Sequence, residues 1–263
     1  MYNALLTICV RSEKGTDCPQ YLKKVSGISL PVLTLSCAEL FRNQITDVST
    51  DLCLNTDDET LISALTVLFP DISVIRRDSR LNNDAVPKED VYRDCVLKME
   101  QKCGKIYDFL IDLDVTAPFR SADDITGAVH CFLNGDGADV VMSAVRSRRN
   151  PFFNMALINK SGRAERVINS EFTTLDQAPA CYEINASIYI VSREFLIHRM
   201  TFDLWQGKVA LYEMNDTGIL RVETDTDNGL LELVAKHCFD NIPGYREVVE
   251  TASEVYRIQN CPC

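Results

Sequence analysis

The stretch from residue 107 to residue 124 constrains the fold of this chain more than any other. Residues 109–111 are a short apolar run of the kind that forms a buried strand in a parallel sheet. A polar loop follows, and Ser121 with Asp124 three residues later is the pattern of a capping box at a helix start. Strand, loop and helix in this order are typical of α/β folds, in which ligands bind beyond the carboxyl ends of the strands.

The loop of this stretch contains the first candidate functional residues. Asp112 and Asp114 follow the apolar run, the chain turns at Thr116 and Pro118, and Arg120 comes next. The simplest interpretation is that the two acids end a strand in solvent. An alternative is the Asp-x-Asp pair of a metal-dependent glycosyltransferase, in which both acids hold Mn²⁺ and the diphosphate of a sugar nucleotide.

Apolar segments of strand type and of helix type alternate along most of the chain. Strands are predicted at 5–10, 52–54, 72–75, 109–111, 138–145, 186–191 and 208–213. Helices are predicted at 30–42, 60–69, 91–102 and 228–239, and after Ser121. This alternation predicts a three-layer α/β fold, in which a mostly parallel sheet carries helices on both faces. The length of 263 residues suits a single domain, 1–263.

The segment 146–190 does not continue the alternation of strand-type and helix-type segments. Its apolar residues have the spacing of a strand: Phe152, Phe153, Met155 and Leu157. Residues 159–162, Asn-Lys-Ser-Gly, have the composition of a hairpin turn. We therefore predict an antiparallel excursion from the sheet. Apolar surface without a place in the sheet normally contacts a partner, so the excursion is also predicted to form a homodimer.

Composition excludes several classes of protein. The formal net charge of −11 argues against non-specific binding to nucleic acid. The sequence contains no run of about 18 apolar residues, so no membrane span is expected. The first ten residues resemble a strand more than a signal peptide. The 11 cysteines are odd in number and form no Cys-x-x-Cys pair, which favours reduced thiols in a cytoplasmic protein. Cys261 and Cys263 are interpreted as part of a frayed terminus, with metal binding or oxidation as alternatives.

A charged loop directly follows the first predicted strand. Residues 11–15 read Arg-Ser-Glu-Lys-Gly. A loop with backbone amides, one glycine, an arginine and a lysine is able to cradle a polyphosphate. A charged turn after a strand is also common, so the loop alone does not define a function.

Several segments of the chain are similar, in order, to the motifs of one enzyme family. Residues 11–15 are similar to Arg-x-Gly-Ser-Lys-Gly, and Gly27, Leu30 and Pro31 to a later Gly-x-Pro-Leu. Residues 55–59, Asn-Thr-Asp-Asp-Glu, are similar to Ser-Thr-Asp-Asp-Glu.

Four further segments continue the similarity to this family. Arg77 with Leu81 and Asp84 is similar to Arg-Pro-x-x-Leu-x-x-Asp. Residues 113–120 are similar to Leu-Gln-Pro-Thr-Ser-Pro-Leu-Arg, and residues 177–189 to Gln-x-Pro-x-x-Tyr-x-x-Asn-Gly-x-Ile-Tyr. Residues 221–227 more weakly resemble Asp-x-Asp-Thr-x-x-Asp. The family is that of the acylneuraminate cytidylyltransferases, which join CMP to acidic keto-sugars of eight or nine carbons.

The resemblance implies a fold, a reaction and a set of functional residues. It implies a nucleotidyltransferase-type sheet, a homodimer whose excursion reaches the partner subunit, and attack of the sugar's anomeric hydroxyl on the α-phosphate of CTP, with Mg²⁺ assisting pyrophosphate release. The implied catalytic residues are Arg11, Lys14 and Glu223. The implied nucleotide-binding residues are Arg11, Ser12, Lys14, Gly15, Lys24, Arg77, Thr116 and Pro118. The implied sugar-binding residues are Asp114, Tyr182 and Asn185, and the implied Mg²⁺ ligands are Glu223 and Asp225.

The chain departs from the family pattern at three places that bear on catalysis. The phosphate loop is one residue short and contains Glu13, an acid unfavourable beside a triphosphate. Asp114 replaces a glutamine near the sugar. Arg221 stands where the family has a metal-binding aspartate, which leaves Glu223 and Asp225 on one side of a β-like segment. Both a working enzyme with a shifted metal site and a fold with reduced catalysis stay open, as does a binding module without catalysis.

Overall fold

The computed structural model describes residues 1–12, 20–83, 85–198, 203–215, 217, 220 and 225–259. The strands are β1 (Tyr2–Cys9), β2 (Lys24–Val25), β3 (Ile28–Ser29), β4 (Val48–Thr56), β5 (Ser73–Arg76), β6 (Phe109–Leu113), β7 (Val140–Arg146), β8 (Ala156–Ile158), β9 (Ala164–Arg166), β10 (Tyr182–Ser192) and β11 (Val209–Glu213). The helices are α1 (Leu30–Gln44), α2 (Glu59–Leu68), α3 (Lys88–Cys103), α4 (Ala122–Asn134), α5 (Arg193–His198), α6 (Asp225–Asn241) and α7 (Pro243–Gln259).

Seven of these strands form one sheet, in the order β11-β7-β10-β6-β1-β4-β5. Four of the six neighbouring pairs are parallel, and both antiparallel pairs involve β10. The predicted mostly parallel α/β sheet is therefore confirmed. In the centre of the sheet, Thr7 of β1 lies opposite Cys53 of β4 on one side and Asp112 of β6 on the other. This register brings the carboxyl ends of β1, β4 and β6 to the same edge.

Helices cover both faces of the sheet, which gives the predicted three layers. In β1, Ala4, Leu6 and Ile8 pack with the buried residues of α1, α2, α4, α6 and α7. Leu5, which points to the opposite face, packs with those of α3 and α5. The predicted capping box of α4 is also confirmed, since the Ser121 hydroxyl accepts from the Asp124 amide at 3.1 Å and Asp124 accepts from the Ser121 amide at 2.8 Å.

Several features differ from the predictions, among them helix α5 and the short strands β2 and β3, which the sequence patterns do not predict. Phe152 and Phe153 lie in a turn at 151–154 and not in a strand, although the hairpin turn at 159–162 does connect β8 with β9. The segment predicted to be β-like at Asp225 is the start of α6. Helix α7 was not predicted, although it begins with proline, a favourable first helical residue. Its buried residues also have helical spacing: Tyr245, Val248 and Ala252.

Strand β10 contains a bulge opposite β7. Ile184 pairs with Ala144 and Tyr189 with Met142, so five steps along β10 correspond to two along β7. Within the bulge, Ala186 has a φ of 54°. A left-handed conformation is unfavourable for a residue with a Cβ atom, and the motif that this segment resembles has glycine here.

Ala186→Gly is therefore expected to raise the free energy of unfolding by about 1 kcal/mol, because glycine adopts the left-handed conformation without steric cost. Denaturation in urea measures the change. Ala164→Gly, in the exposed strand β9, is the control and should lower stability by roughly 0.5–1 kcal/mol. Destabilisation by both glycines would contradict the assigned backbone strain.

Candidate active site

A cleft lies at the carboxyl edge of the sheet, where the loops after β1, β5 and β6 meet. It consists of two adjoining hollows of about 230 and about 260 Å³, and Cys9 and Arg11 line both of them. The first hollow is further lined by Arg77, Leu81, Asn83, Val86, Lys88, Val91 and Tyr92. The second is further lined by Val10, Tyr21, Asp114, Val115 and Thr116. The structure thus brings together four residues for which the sequence predicted functional roles: Arg11, Arg77, Asp114 and Thr116.

Ser12, at the start of the predicted phosphate loop, is held by Asp57, the residue that follows β4. Its amide donates to Asp57 Oδ1 at 2.8 Å and its hydroxyl to Asp57 Oδ2 at 2.5 Å. The Asn82 side chain donates to the same Oδ2 atom. Asp57 therefore connects the loop after β1 with the loop after β5, the two walls of the first hollow. The hydroxyl of Ser12 is occupied by this contact.

The pKa of Asp57 lies below its ordinary value. Burial raises this pKa, but the hydrogen bonds from Ser12 and Asn82 outweigh burial. The carboxylate therefore stabilises the folded protein fully above the ordinary pKa of 3.8, and this contribution is lost as the pH falls through the lower, folded-state value.

Asp57→Asn is expected to lower the free energy of unfolding by about 1 kcal/mol at pH 7, the scale of a typical net hydrogen bond at a partly exposed group. The loss should shrink as the pH falls from about 4 through the lower folded-state pKa of Asp57, because the wild-type protein loses the contribution of its carboxylate over that range. Urea denaturation at several pH values measures both effects. Asp71→Asn, at an exposed turn, is the control, and an equal loss from it would argue against the role of Asp57.

Arg77, which follows β5, is held by a side chain of the neighbouring strand β4. Its Nε donates to Asn55 Oδ1 at 2.7 Å, and the buried Asn55 donates to the Ile75 carbonyl at 3.3 Å. Three residues after Asn55, Asp58 caps α2 and accepts a hydrogen bond from Tyr21 at 2.6 Å. The segment 55–59 therefore organises the cleft walls, and none of its acids lines the two hollows.

Lys88 lies between two acids at the carboxyl end of β6, Asp112 in the strand and Asp114 just after it, and we call Lys88, Asp112 and Asp114 the Lys88 cluster. Its Nζ is 3.4 Å from Asp112 Oδ2 and 3.4 Å from Asp114 Oδ2. Burial lowers the pKa of Lys88, but the two carboxylates outweigh it, so this pKa lies above its ordinary value. Sequence reasoning missed Lys88 because the helix pattern at 91–102 excludes the residue that begins α3.

Further hydrogen bonds hold both acids of the Lys88 cluster. Asp112 is 1% exposed and accepts from the Tyr92 hydroxyl at 2.7 Å and the Thr7 hydroxyl at 3.2 Å. Asp114 Oδ1 accepts from the amide and the hydroxyl of Thr116 at 2.8 and 2.7 Å. Because an ammonium group occupies the position between the acids, this geometry does not fit the Asp-x-Asp metal site of the glycosyltransferase alternative. Across the described residues, no group of three or more His, Cys, Asp or Glu side chains forms a metal site.

Other predicted site residues are not among those that line the two hollows. Lys24 lines a separate hollow of about 530 Å³ with Tyr256 and Arg257 of α7. Asn185 is buried in the β10 bulge, where it accepts from the Ser143 hydroxyl at 2.5 Å. Tyr182, at the start of β10, is 39% exposed. Pro118 is buried in the loop after β6.

The remaining predicted residues lie outside the described part of the chain: Lys14, Gly15, Glu223, the side chain of Asp225, Cys261 and Cys263. The predicted Mg²⁺ ligands are among them. The eight cysteines that the structure describes are all free thiols. None of the described helices is long and apolar enough to span a membrane.

Solved structures share this fold. CMP:2-keto-3-deoxy-manno-octonic acid synthetase, solved with CTP, matches with a TM-score of 0.60 and 14% identity, covering 89% of this chain and 99% of that one. A 4-diphosphocytidyl-2C-methyl-D-erythritol synthase from Anaerococcus prevotii matches with a TM-score of 0.59 and 12% identity, covering 89% and 96%. At these identities the likeness concerns the fold alone. No family model matches the chain.

Two relatives are similar in sequence over nearly their whole length. The post-translational flagellin modification protein B of Campylobacter coli is 29% identical over 240 residues, 90% of this chain and 96% of that protein. The CMP-N,N'-diacetyllegionaminic acid synthase of Campylobacter jejuni is 30% identical over 238 residues, 89% of this chain and 95% of that protein.

The fold and these relatives define the chain as a nucleotidyltransferase. Within that class, it belongs to the acylneuraminate cytidylyltransferase family, as a divergent member similar to CMP-sialic acid synthetases. The resemblance expected from the sequence motifs is thereby confirmed.

Proposed function

We propose that the protein transfers CMP from CTP to an acidic keto-sugar of eight or nine carbons and releases pyrophosphate. The observation that carries this proposal is the convergence of Arg11, Arg77 and the Thr116 loop on one cleft at the carboxyl edge of the sheet. The names of the Campylobacter jejuni relative and of the fold neighbour solved with CTP support the nucleotide and the class of sugar. Which keto-sugar is used, among neuraminate, legionaminate, pseudaminate and octulosonate types, is a question for experiment.

Each hollow has features that suit one substrate. The first combines cationic Arg77 with apolar Leu81 and Val86, which suits a nucleotide. The second contains Asp114 and Thr116, whose polar atoms suit sugar hydroxyls. Arg11 lines both hollows, so we assign it to binding the α-phosphate of CTP, which is transferred to the sugar.

In the proposed reaction, the anomeric oxygen of the sugar forms a bond with the α-phosphorus of CTP. The bond from this phosphorus to the β-phosphate oxygen breaks, pyrophosphate leaves, and the hydroxyl proton goes to solvent. Phosphoryl transfer relies on positioning and on positive charge around the phosphates. Arg11 and Arg77 supply that charge from opposite walls of the first hollow.

We also propose a requirement for Mg²⁺, the usual counter-ion of a transferred polyphosphate. Among the described acids of the cleft, Asp112 and Asp114 do not fit this ion because Lys88 lies between them. We therefore propose Glu223 and Asp225, the residues implied by the motif resemblance, as the Mg²⁺ ligands. Removal of divalent ions with EDTA, followed by addition of Mg²⁺, tests it through the rate of pyrophosphate release.

The decisive experiment measures pyrophosphate release from CTP with each of the four keto-sugar types. In parallel, thermal unfolding with CTP, UTP, ATP, GTP, a UDP-sugar and a GDP-sugar tests nucleotide selection, because a ligand that binds only the folded state raises Tm. The proposal expects the largest Tm increase with CTP. Preference for a UDP- or GDP-sugar would favour a glycosyltransferase, and the absence of any nucleotide effect would favour a binding module. CTP binding without pyrophosphate release would indicate a family member with lost catalysis.

We further propose that the excursion 146–190 forms a homodimer. Its exposed apolar side chains include Met155, Leu157, Ile158, Val167 and Ile168. Apolar surface of this kind normally contacts a partner.

Ile158→Asp is expected to convert the dimer to a monomer at micromolar concentration, because it places a charge in the apolar contact surface. Light scattering measures the mass. The matched control is Val67→Asp on α2, since Val67 is 68% exposed and Ile158 is 69% exposed. A wild-type monomer would contradict the proposed dimer, and an unchanged dimer in Ile158→Asp would place the interface elsewhere.

A further inference from the structure

We infer that Lys88 is a specificity-determining residue. Its positive charge offsets the negative charge of Asp112 and Asp114, so that the cleft is able to accept an anionic substrate. This inference rests on the proposed function and deepens it. Lys88 lines the first hollow together with Arg11 and Arg77. Its side chain is 46% exposed, and its ammonium group contacts the two acids at the end of β6.

The two acids of the Lys88 cluster present an electrostatic problem for a nucleotide site. Asp112 and Asp114 stand two residues apart at the end of a central strand, and Asp114 lines the second hollow, which adjoins the proposed nucleotide site. Asp112 is almost completely buried, so solvent screens its charge poorly. Without a nearby cation, the pair would repel the triphosphate of CTP and the carboxylate of the sugar.

Lys88 is placed where it offsets this repulsion. Its Nζ is equidistant from one oxygen of each acid, at 3.4 Å, and lies 5.3 Å from the centre of the Tyr189 ring. The Tyr92 hydroxyl donates to the same Asp112 oxygen that Lys88 contacts, and the Thr116 hydroxyl donates to the other oxygen of Asp114. The ammonium is thus held by both acids, and Lys88 lines the first hollow.

The position of Lys88 in its helix supports a role in the site. Lys88 is the first residue of α3, and the first turn also contains Glu89 and Asp90. Acids are favourable at a helix N-terminus and a cation is unfavourable, because the helix dipole places partial positive charge there. A lysine at this position opposes the local preference of the helix, as happens where a residue serves a site.

The test compares ligands that differ only in phosphate. Isothermal titration measures the Kd of CTP, CMP and cytidine for the wild type and for Lys88→Met. The inference expects the affinity for CTP to fall roughly 10- to 100-fold, the scale of one charge interaction near a protein surface, with a smaller loss for CMP. Cytidine affinity should change less than about twofold, since cytidine carries no charge. The loss for CTP should diminish at high ionic strength.

Three variants serve as controls. Lys98→Met removes a charge from the same helix, where Lys98 pairs with Asp94 at 2.7 Å, and should leave CTP binding unchanged. Lys88→Arg keeps the charge and should keep most of the affinity. The double variant Lys88→Met with Asp114→Asn removes one of the two acids left without the ammonium, so it should recover part of the affinity and should also fold if the single variant does not.

The outcomes separate this inference from the proposed function. A wild type that binds no CTP would overturn both. An equal Kd of CTP for Lys88→Met and the wild type would overturn the inference and leave the proposed function intact. An equal loss of CTP and cytidine affinity would also overturn it, because that result indicates a packing role for Lys88.

Discussion

Arg11→Ala is expected to lower kcat/KM for pyrophosphate release by at least about 100-fold. Loss of one preorganised electrostatic contact to a transition state typically costs about 10²–10³-fold. Arg11 follows β1 within two residues and lines both hollows, so it stands where charge develops on the transferred phosphate in the proposed reaction. Steady-state rates with CTP and the preferred keto-sugar measure the effect.

Two further variants make the Arg11 result interpretable. Arg80→Ala removes the same charge from a side chain that is 84% exposed and paired with Asp78, and should change kcat/KM less than about twofold. Arg11→Lys keeps the charge but loses the forked donor geometry, so it should recover only part of the rate. Activity of Arg11→Ala within twofold of the wild type would remove Arg11 from the proposed reaction.

Arg120→Met is expected to lower the free energy of unfolding by about 3 kcal/mol or more. Arg120 is 2% exposed, and one of its terminal nitrogens donates to the Ser187 carbonyl at 2.7 Å, to the Ser187 hydroxyl at 3.1 Å and to the Asp114 carbonyl at 3.3 Å. Methionine fills similar apolar space but leaves these acceptors without their donor, at a cost of roughly 1–3 kcal/mol for each unsatisfied group.

Urea denaturation measures the stability of Arg120→Met, and Arg163→Met in the exposed β8–β9 turn is the control. Arg120 connects the end of β6 with the bulge of β10, so the variant should also displace the Asp114 turn. We therefore expect weaker sugar binding at temperatures where the variant is still folded. A loss below about 1 kcal/mol would show that other groups or water satisfy the carbonyls.

Local patterns in the sequence were sufficient for most of the secondary structure. The apolar run at 109–111 lies within β6, and Ser121 and Asp124 form the capping box of α4. Asparagine and glycine at 159 and 162 form the β8–β9 turn, in which Gly162 has a φ of 77°. Each of these features depends on residues that are close in sequence, so periodicity and turn chemistry are able to predict it.

Contacts between distant segments were beyond such reasoning. Ser12 and Asp57 are 45 residues apart, and Lys88 and Asp112 are 24 apart. Ser12 and Asp57 meet because β1 and β4 are neighbours in the sheet, and Lys88 reaches Asp112 because α3 packs on the face that includes Leu5 and Leu110. No single segment of the sequence encodes these contacts. For the same reason, Lys24 was assigned to the nucleotide although the structure places it beside α7. The motif resemblance supplied Arg11, Arg77 and the Thr116 loop, but it contained no signal for Lys88.

The place of β10 in the sheet has a consequence for how the chain is made. β10 separates β6 from β7, although it is synthesised after both of them. From the end of β6 at Leu113 to the end of β10 at Ser192, 79 residues must leave the ribosome (192 − 113). At roughly 5–20 residues per second this takes about 4–16 s. During that time the parallel half-sheet β6-β1-β4-β5 has an open edge at β6, the kind of edge to which other strands add. The nascent chain is thus most vulnerable to aggregation between these two points of its synthesis.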